Sequence, residues 1–259
     1  MNKAVITNAI VPARRDPDDR SEMETQLLFG DLIEILEKRN QWRLVRNDFD
    51  AYEAWIDEKA FEIIDDKTFD EIKSATEFYV ADLTSVMSLP DDTRQMLVLG
   101  SRLPSYHSLK KSLIINGKEY LLLQGKVISG RLNDEEFFNI IKKYRNAPYL
   151  WGGNTPFGID CSGFTQMVYK ISGRYRLPRN ASQQAQHGKR IDFDERKPGD
   201  LAFFVNEKGN IHHVGIVWFN DTVLHAHGKV RQDLLLREGI YNQEIERFTH
   251  DLVLIRRLE

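Results

Sequence analysis

Apolar and polar residues alternate along three stretches at the start of the chain, and this alternation predicts short β-strands. The stretches read KAVITNAIVPARR, TQLLFGDLIEILEKRNQWRLVRN and AYEAWIDEKAFEII. Gly30 and Asn40 fall between apolar runs, where turns are expected. Strands of this length and spacing are typical of a small barrel, so we predict one over residues 1–66.

A second strand-rich segment follows an acidic connector at residues 67–78. The connector region, DDKTFDEIKSATE, is poor in large apolar residues and is expected to hold a short helix. Beyond it, LIINGKEYLLLQGKVISG places Asn116 and Gly117 between apolar runs, which predicts a β-hairpin. Residues 79–130 are therefore expected to form a second, more divergent barrel.

The hydrophobic period changes from two to that of a helix at NDEEFFNIIKKYRNAPY. Asn133 or Asp134 is available as the N-cap, and Pro148 prevents continuation. The apolar stripe consists of Phe137, Phe138, Ile140, Ile141 and Tyr144. A glycine-rich segment, another helix and several β-runs follow, so residues 131–259 are predicted to form an α+β domain with its own core.

Composition and charge narrow the classes of partner. Apolar residues make up 41% of the chain and charged residues 29%, with a net charge of −3 and no basic run. We therefore expect neither nucleic acid nor a membrane as a partner, and a monomer. The N-terminal apolar stretch is too short for a signal peptide, so we expect a cytoplasmic protein, or a periplasmic or secreted one if an export segment has been removed.

The only cysteine, Cys161, lies in the segment YLWGGNTPFGIDCSGF. Its loop is predicted to turn into the helix CSGFTQMVYKI, and a helix N-terminus favours a thiolate. Most free cysteines are nevertheless small buried hydrophobes, so this segment alone leaves both interpretations open. A single cysteine permits no internal disulfide.

Four of the seven histidines fall in NIHHVGIVWFNDTVLHAHG. His213 and His225 are twelve residues apart, so a hairpin centred on Phe219 would place them opposite each other on one face. With Cys161 they would form a Cys–His–His arrangement, in which one imidazole is the base and the other fixes its tautomer.

The other histidines are not assigned to this arrangement. His212 points away from His213, whereas His227 shares the face of His225. Three more are expected at the surface or in turns, without a chemical role: His107, His187 and His250. Cysteine and histidine are zinc ligands by type, but no CxxC or HxxxH spacing occurs, so we expect no metal.

Four motifs together resemble the NlpC family of cell-wall cysteine peptidases, which have a papain-like core: YLWGG…DCSGF, KPGDLAFF, HHVGIVW and VLHAHG. The upstream pattern is similar to bacterial SH3-like barrels, although Ala54 stands where glycine is usual. The resemblance implies that Cys161 is the nucleophile, His213 the base and His225 the third polar residue. It also implies that Tyr149 helps to hold the oxyanion.

The resemblance implies a substrate as well, the γ-D-glutamyl–diamino acid bond of a murein peptide with a free N-terminal L-alanine. No metal or organic cofactor is expected. The residues expected to bind this substrate in the second domain are Asp160, Ser162, Trp151 and Ser182. Asp160 would pair with the substrate ammonium, and Asn180 stands where the family commonly has aspartate.

Tyr52 and Glu22 of the first barrel are candidates to reach the substrate, and an ordinary pair on the barrel surface is an equally open interpretation. Two further functions also remain open at this point. One is an amidase or acyltransferase built on the same core. The other is a peptidoglycan-binding protein without catalytic activity.

Overall fold

The chain divides between Leu132 and Asn133 into two units in the computed structural model, which describes residues 2–258. Each unit contains hydrophobic clusters of its own. No helix within the described residues is long and apolar enough to cross a bilayer.

The first unit begins with a seven-stranded antiparallel sheet in the order β3-β2-β6-β5-β4-β1-β7. Alternation along β1 buries both of its faces, because Ala4 and Ile6 enter one cluster and Val5 enters another. The seven strands are β1 (Lys3–Ile6), β2 (Ile10–Arg14), β3 (Met23–Leu28), β4 (Leu32–Arg39), β5 (Trp42–Asn47), β6 (Glu53–Asp57) and β7 (Phe61–Ile64).

The acidic connector contains the helix α1 (Asp66–Ser74), which confirms the predicted short helix. The Asp65 side chain caps it by accepting the Thr68 N–H at 2.6 Å. Phe69 and Ile72 are buried in a cluster that also contains residues of the first sheet and of the segment that follows. The connector is therefore part of the core of the first unit.

The remainder of the first unit forms a four-stranded sheet in the order β10-β9-β12-β11 and the separate pair β13-β8. The predicted hairpin is confirmed, since Ile115 pairs with Lys118 and both Asn116 and Gly117 have positive φ. The strands are β8 (Phe78–Val80), β9 (Thr84–Ser88), β10 (Arg94–Val98), β11 (Ser112–Ile115), β12 (Lys118–Gln124) and β13 (Val127–Ser129).

The second unit is an α+β domain, as predicted, and begins with the expected capped helix. Asn133 and Glu136 form a capping box at its start. The helices are α2 (Asp134–Lys143), α3 (Cys161–Ile171) and α4 (Ala181–Gln184). The strands are β14 (Asn154–Thr155), β15 (Gly158–Ile159), β16 (Lys189–Ile191), β17 (Leu201–Val205), β18 (Ile211–Trp218), β19 (Thr222–His227), β20 (Lys229–Leu235), β21 (Gly239–Asn242) and β22 (Arg247–Arg257).

Six strands of the second unit close on themselves. The order is β16-β22-β17-β18-β19-β20-β21, and β21 pairs in addition with β22. Helix α3 packs against β18 and β19, the strands that carry the predicted base and its partner. The last strand, β22, pairs with β17 on the side opposite β18.

Candidate active site

Cys161 is the first residue of α3 and is 7% exposed. Its sulfur lies 3.9 Å from the His212 carbonyl oxygen. Burial raises the pKa of the thiol to about 12, with a smaller contribution from Asp160 in the same direction, while the Val214 N–H opposes the shift. The resting thiol is therefore protonated, which differs from the thiolate expected from the helix N-terminus alone.

The glycine-rich loop before Cys161 packs directly on the first turn of α3. A Cβ on Gly163 would lie 2.4 Å from the Gly153 carbonyl oxygen, so only glycine permits this approach. Tyr149 begins the loop, and burial, with a smaller effect of Cys161, raises its pKa to about 12. The phenol keeps its proton and is available as a hydrogen-bond donor beside the thiol.

Asp160 is not free to act as a simple ammonium anchor, because its carboxylate is already paired inside the protein. The Arg179 guanidinium lies 3.0 and 2.5 Å from its two oxygens and is 1% exposed. The same carboxylate accepts the N–H groups of Gly152 and Gly163 at 2.9 and 2.7 Å. A substrate ammonium would share this carboxylate with Arg179, a residue to which sequence reasoning assigned no role.

His213 and His225 meet, as the twelve-residue spacing suggested, with Nε2 of His213 2.9 Å from Nδ1 of His225. The predicted pairing is wrong, because His225 lies opposite Gly215 rather than opposite His213, a difference of two residues along β18. The reason is a three-residue loop, residues 219–221, in which Asn220 has a positive φ. The two imidazoles are therefore diagonal neighbours on one face of the sheet.

Gly215 makes this diagonal contact possible. A Cβ at this position would lie 3.0 Å from the Cβ of His225 and 2.9 Å from the Leu224 carbonyl oxygen. The missing side chain leaves room for the His225 ring to lie across the sheet toward His213.

A third residue behind the histidines was not predicted. Nε2 of His225 lies 2.9 Å from the Asp233 carboxylate, which also receives two hydrogen bonds from Arg231 at 2.7 and 2.8 Å. Burial opposes ionisation of Asp233, but the hydrogen bonds from His225 and Arg231 leave its pKa below the usual value. The carboxylate is therefore ionised at neutral pH.

These contacts fix the tautomers of both imidazoles. An ionised Asp233 accepts the His225 Nε2–H, so Nδ1 of a neutral His225 is an acceptor and takes the His213 Nε2–H. Nδ1 of His213 is then left unprotonated. Burial lowers the pKa of both histidines, so both are neutral at rest. The hydrogen-bonded series Asp233–His225–His213 thus leaves Nδ1 of the His213 imidazole ready to accept a proton.

His250 was expected at the surface, and this prediction is wrong. It is 8% exposed and stacks on His213, with ring centroids 4.2 Å apart. Burial, together with the neighbouring histidines, lowers its pKa to about 3. His250 lies on β22, which pairs with β17 on the side opposite β18, so the contact with His213 spans β17 and the sequence separation hides it.

The three buried histidines do not have the geometry of a metal site. Nitrogen atoms of His213, His225 and His250 lie within 4.8 Å of one another. The rings of His213 and His250 are only 27° from parallel, so their in-plane lone pairs run side by side rather than toward one point. The facing nitrogens of His213 and His225 already share a hydrogen bond.

The remaining candidates of the second unit differ in exposure. Ser162 is buried, donates to Asp160 at 3.3 Å and accepts from Arg179 at 2.9 Å. Trp151 is 59% exposed on the glycine-rich loop, and Ser182 is exposed in α4. Ser162 thus belongs to the support of the nucleophile.

Glu22 and Tyr52 belong to the first unit. Glu22 forms an ion pair with Arg15 at 2.7 Å, and Tyr52 packs partly buried against the core of the first sheet. That these two residues contact the substrate stays a prediction.

Two segments of the chain match known families. Residues 146–250 match the NlpC/P60 family, and residues 13–61 match the bacterial dipeptidyl-peptidase Sh3 domain. The chain is similar to two curated proteins named gamma-D-glutamyl-L-lysine dipeptidyl-peptidase. The Bacillus subtilis protein is 45% identical over 106 residues, 39% of this chain and 36% of that protein. The Bacillus cereus protein is 28% identical over 229 residues, 80% of this chain and 68% of that protein.

A solved structure shares the fold over nearly the whole chain. It is an NlpC/P60 family protein from Bacillus cereus, with a TM-score of 0.82 and 21% identity over 99% of both chains. The match to the Bacillus subtilis relative spans only about a third of that protein, at 36% of its length.

Proposed function

This chain carries an NlpC/P60 domain behind a bacterial dipeptidyl-peptidase SH3 domain, and we propose that it is a cysteine peptidase of murein peptides. The bond cleaved is the amide between γ-D-glutamate and the diamino acid. The observation that carries the proposal is the chain of hydrogen bonds from Asp233 through His225 to His213, beside a helix that begins at Cys161. The names of the two curated relatives support the same bond.

Because the thiol and the imidazole are both neutral at rest, attack begins with a proton transfer. Nδ1 of His213 accepts the thiol proton as the sulfur of Cys161 bonds to the γ-carbonyl carbon. The resulting imidazolium is stabilised through His225 by the Asp233 carboxylate. The Tyr149 hydroxyl and the Cys161 N–H are suited to donate to the oxyanion, and one such donor contributes roughly 3 kcal/mol in other enzymes.

Collapse of the tetrahedral intermediate breaks the C–N bond, and His213 returns the proton to the departing amine. The acyl group of L-Ala-γ-D-Glu then remains on the sulfur of Cys161 as a thioester. Water, deprotonated by His213, hydrolyses this thioester and restores the thiol. The cycle consumes one water molecule and needs no oxidant or metal.

Recognition of a free N-terminal alanine is a separate part of the proposal. An ammonium that leaves water needs a carboxylate partner. The two acidic candidates are Asp160 and Glu22, and each is already paired with an arginine, Arg179 and Arg15 respectively. Cleavage of N-acetylated and free peptides at equal rates would refute this requirement.

The decisive experiment is the substitution Cys161→Ala, assayed with L-Ala-γ-D-Glu-diaminopimelate. Release of diaminopimelate, measured by mass spectrometry, is expected to fall to background while the circular dichroism spectrum stays that of the wild type. Thr222→Ala, a change on β19 away from the thiol, serves as the matched control and should keep activity. Undiminished release from the Cys161→Ala protein would refute the proposed nucleophile.

Two further measurements distinguish the other functions left open by the sequence. Binding to purified sacculi without turnover of any peptide would indicate a wall-binding protein. Rapid alkylation of Cys161 without turnover of murein peptides would indicate an amidase or acyltransferase with a different acyl donor.

A further inference from the structure

A cleft of about 580 Å³ opens in the second unit beside the histidines. Its walls include Glu207 and Lys208 from the turn after β17, His212 from β18, and His250 and Asp251 from β22. The volume falls within the range of small-molecule sites. The lining contains no residue of the glycine-rich loop or of α4.

β17 ends at this cleft, and both of its pairings are irregular there. Its register shifts between Phe204 and Val205 against β18, and between Phe203 and Phe204 against β22. The extra residue of each irregularity lies on the neighbouring strand, His212 on β18 and Val253 on β22, and such bulges often occur next to active sites. The cleft is therefore formed by the regular scaffold as well as by the turn after β17.

The cleft adjoins the reacting groups through two contacts. The His212 carbonyl oxygen lies 3.9 Å from the sulfur of Cys161. The ring of His250 stacks on His213, with centroids 4.2 Å apart. One wall of the cleft is thus in direct contact with the base.

The position of the base determines which half of a substrate this cleft would receive. His213 must return its proton to the departing amine, so the amine nitrogen has to lie within hydrogen-bond distance of the imidazole. The leaving group therefore extends to the side of Cys161 on which His213 lies. His212 and His250 place the cleft on that side.

The charges in the cleft match a diamino acid. Lys208, Glu207 and Asp251 have no side-chain hydrogen bond or ion pair with any residue in the described range 2–258. A departing diamino acid carries at least one carboxylate and a distal ammonium, which require one cation and one anion. Phe248, 42% exposed at the rim, offers an apolar surface for the methylene groups between them.

We propose that this cleft is the binding site for the leaving diamino acid. Lys208 binds its carboxylate, and Asp251 binds its distal ammonium. Asp251 is preferred to Glu207 because its backbone pairs with Val205 in the sheet, whereas Glu207 belongs to the turn after β17. This assignment rests on the proposed peptidase function and adds the residues that select the leaving group.

Two substrates that differ only in the leaving group test the site. They are L-Ala-γ-D-Glu-diaminopimelate and the γ-para-nitroanilide of L-Ala-D-Glu, whose leaving group carries no charge. Lys208→Met and Asp251→Asn should each lower kcat/KM for the peptide by about tenfold, since each removes one charge-assisted contact. Both variants should cleave the anilide within about twofold of the wild type. Equal losses on the two substrates, or no loss on the peptide, would overturn the assignment.

Lys189→Met is the matched control, because Lys189 is an exposed lysine on β16 of the same unit and does not line the cleft. It should leave both rates unchanged. A fall in the peptide rate equal to that of Lys208→Met would show an effect of net charge and would count against the site.

Direct binding of free diaminopimelate keeps the site testable without turnover. Calorimetric titration of the Cys161→Ala protein should show saturable binding that Lys208→Met weakens by about tenfold. Absence of saturable binding, or equal binding by Lys208→Met, contradicts the site. If the wild type cleaves neither substrate, the proposed function fails, and this titration alone then decides whether the cleft binds a diamino acid.

Discussion

Two aspartate–arginine pairs lie behind the reacting groups, Asp160–Arg179 behind the thiol and Asp233–Arg231 behind the histidines. In the first pair the arginine is 1% exposed, and the carboxylate also caps the helix that begins at Cys161. In the second pair the arginine side chain is 18% exposed, and one carboxylate oxygen faces an imidazole nitrogen. The two pairs therefore have different roles. Asp160–Arg179 stabilises the backbone at the start of α3, whereas Asp233–Arg231 keeps the proton of His225 on Nε2.

The largest effect is expected from breaking the first pair. Arg179→Met should lower the free energy of unfolding of the second unit by about 3–5 kcal/mol, because the buried carboxylate of Asp160 loses its partner. Urea denaturation of the full chain measures this loss. Arg231→Met is the matched control and should cost about 1–2 kcal/mol, since Asp233 keeps its contact with His225 and Arg231 is partly exposed. Equal losses would remove the structural distinction between the two pairs.

Asp233→Asn tests the second pair and should act on kcat rather than on folding. Arg231 needs acceptors, so the amide oxygen turns toward it and the amide N–H₂ toward His225. That contact reverses the tautomers of His225 and His213 and leaves a proton on the basic nitrogen of His213. We expect kcat to fall by about 100-fold or more, as wrong tautomers do in related triads.

The measurement for Asp233→Asn is steady-state kinetics over a pH range, together with urea denaturation. A positioning role predicts a changed pH profile with a nearly unchanged denaturation midpoint. Asp221→Asn, at an exposed aspartate of the hairpin loop, is the control and should show neither change. A loss of activity that follows a loss of stability would make Asp233 a structural residue like Asp160.

The smallest of the three effects is a loss of stability at acidic pH, which we expect from His250, the residue whose ring stacks on His213. His250 has a folded-state pKa of about 3, so the unfolded chain, with a pKa near 6.5, takes up the proton first as the pH falls. Stability is thus full above about pH 6.5 and is lost progressively down to about pH 3. At pH 4.5 the loss from this residue is about 2.5 kcal/mol.

His250→Phe keeps a flat ring against His213 and removes this titration. The variant should lose about 2.5 kcal/mol less than the wild type between pH 7 and pH 4.5, measured by urea denaturation at both values. An identical loss in the two proteins would mean that His250 is not the acid-sensitive group of the histidine side of the site.

The sequence allowed the main elements of this site to be predicted, but not the residues that support them. The spacing of His213 and His225 reveals a shared face because strand periodicity is two. Their register depends on the length of the hairpin loop, which the pattern does not determine. The predicted pairing therefore differs from the observed one by two residues along β18. His250 reaches the site because β22 and β18 flank β17, an arrangement of strands distant in sequence that no local pattern encodes.

Local signals existed for the two supporting pairs. Arg231 and Asp233 are two residues apart in KVRQDLLL, so both lie on one face of the strand beside the histidine hairpin. Opposite charges at this spacing, close in sequence to the histidines, were a signal of a contact with them. Arg179 lies in RLPR, where nothing local marks it as the partner of Asp160. In the first unit, the apolar residues Phe69 and Ile72 are three positions apart, a spacing that indicates the buried side of the connector helix.

The three-residue loop at the tip of the histidine hairpin has a consequence for how this protein tolerates variation. The loop lies away from the reacting groups, and most substitutions in it leave the strands in place. Its length is a different matter, because a shift of one residue in β19 against β18 would turn His225 to the other face of the sheet. Asn220 and Asp221 both have positive φ, so asparagine, aspartate or glycine should be tolerated there, whereas an insertion or deletion that shifts the register would separate His225 from His213.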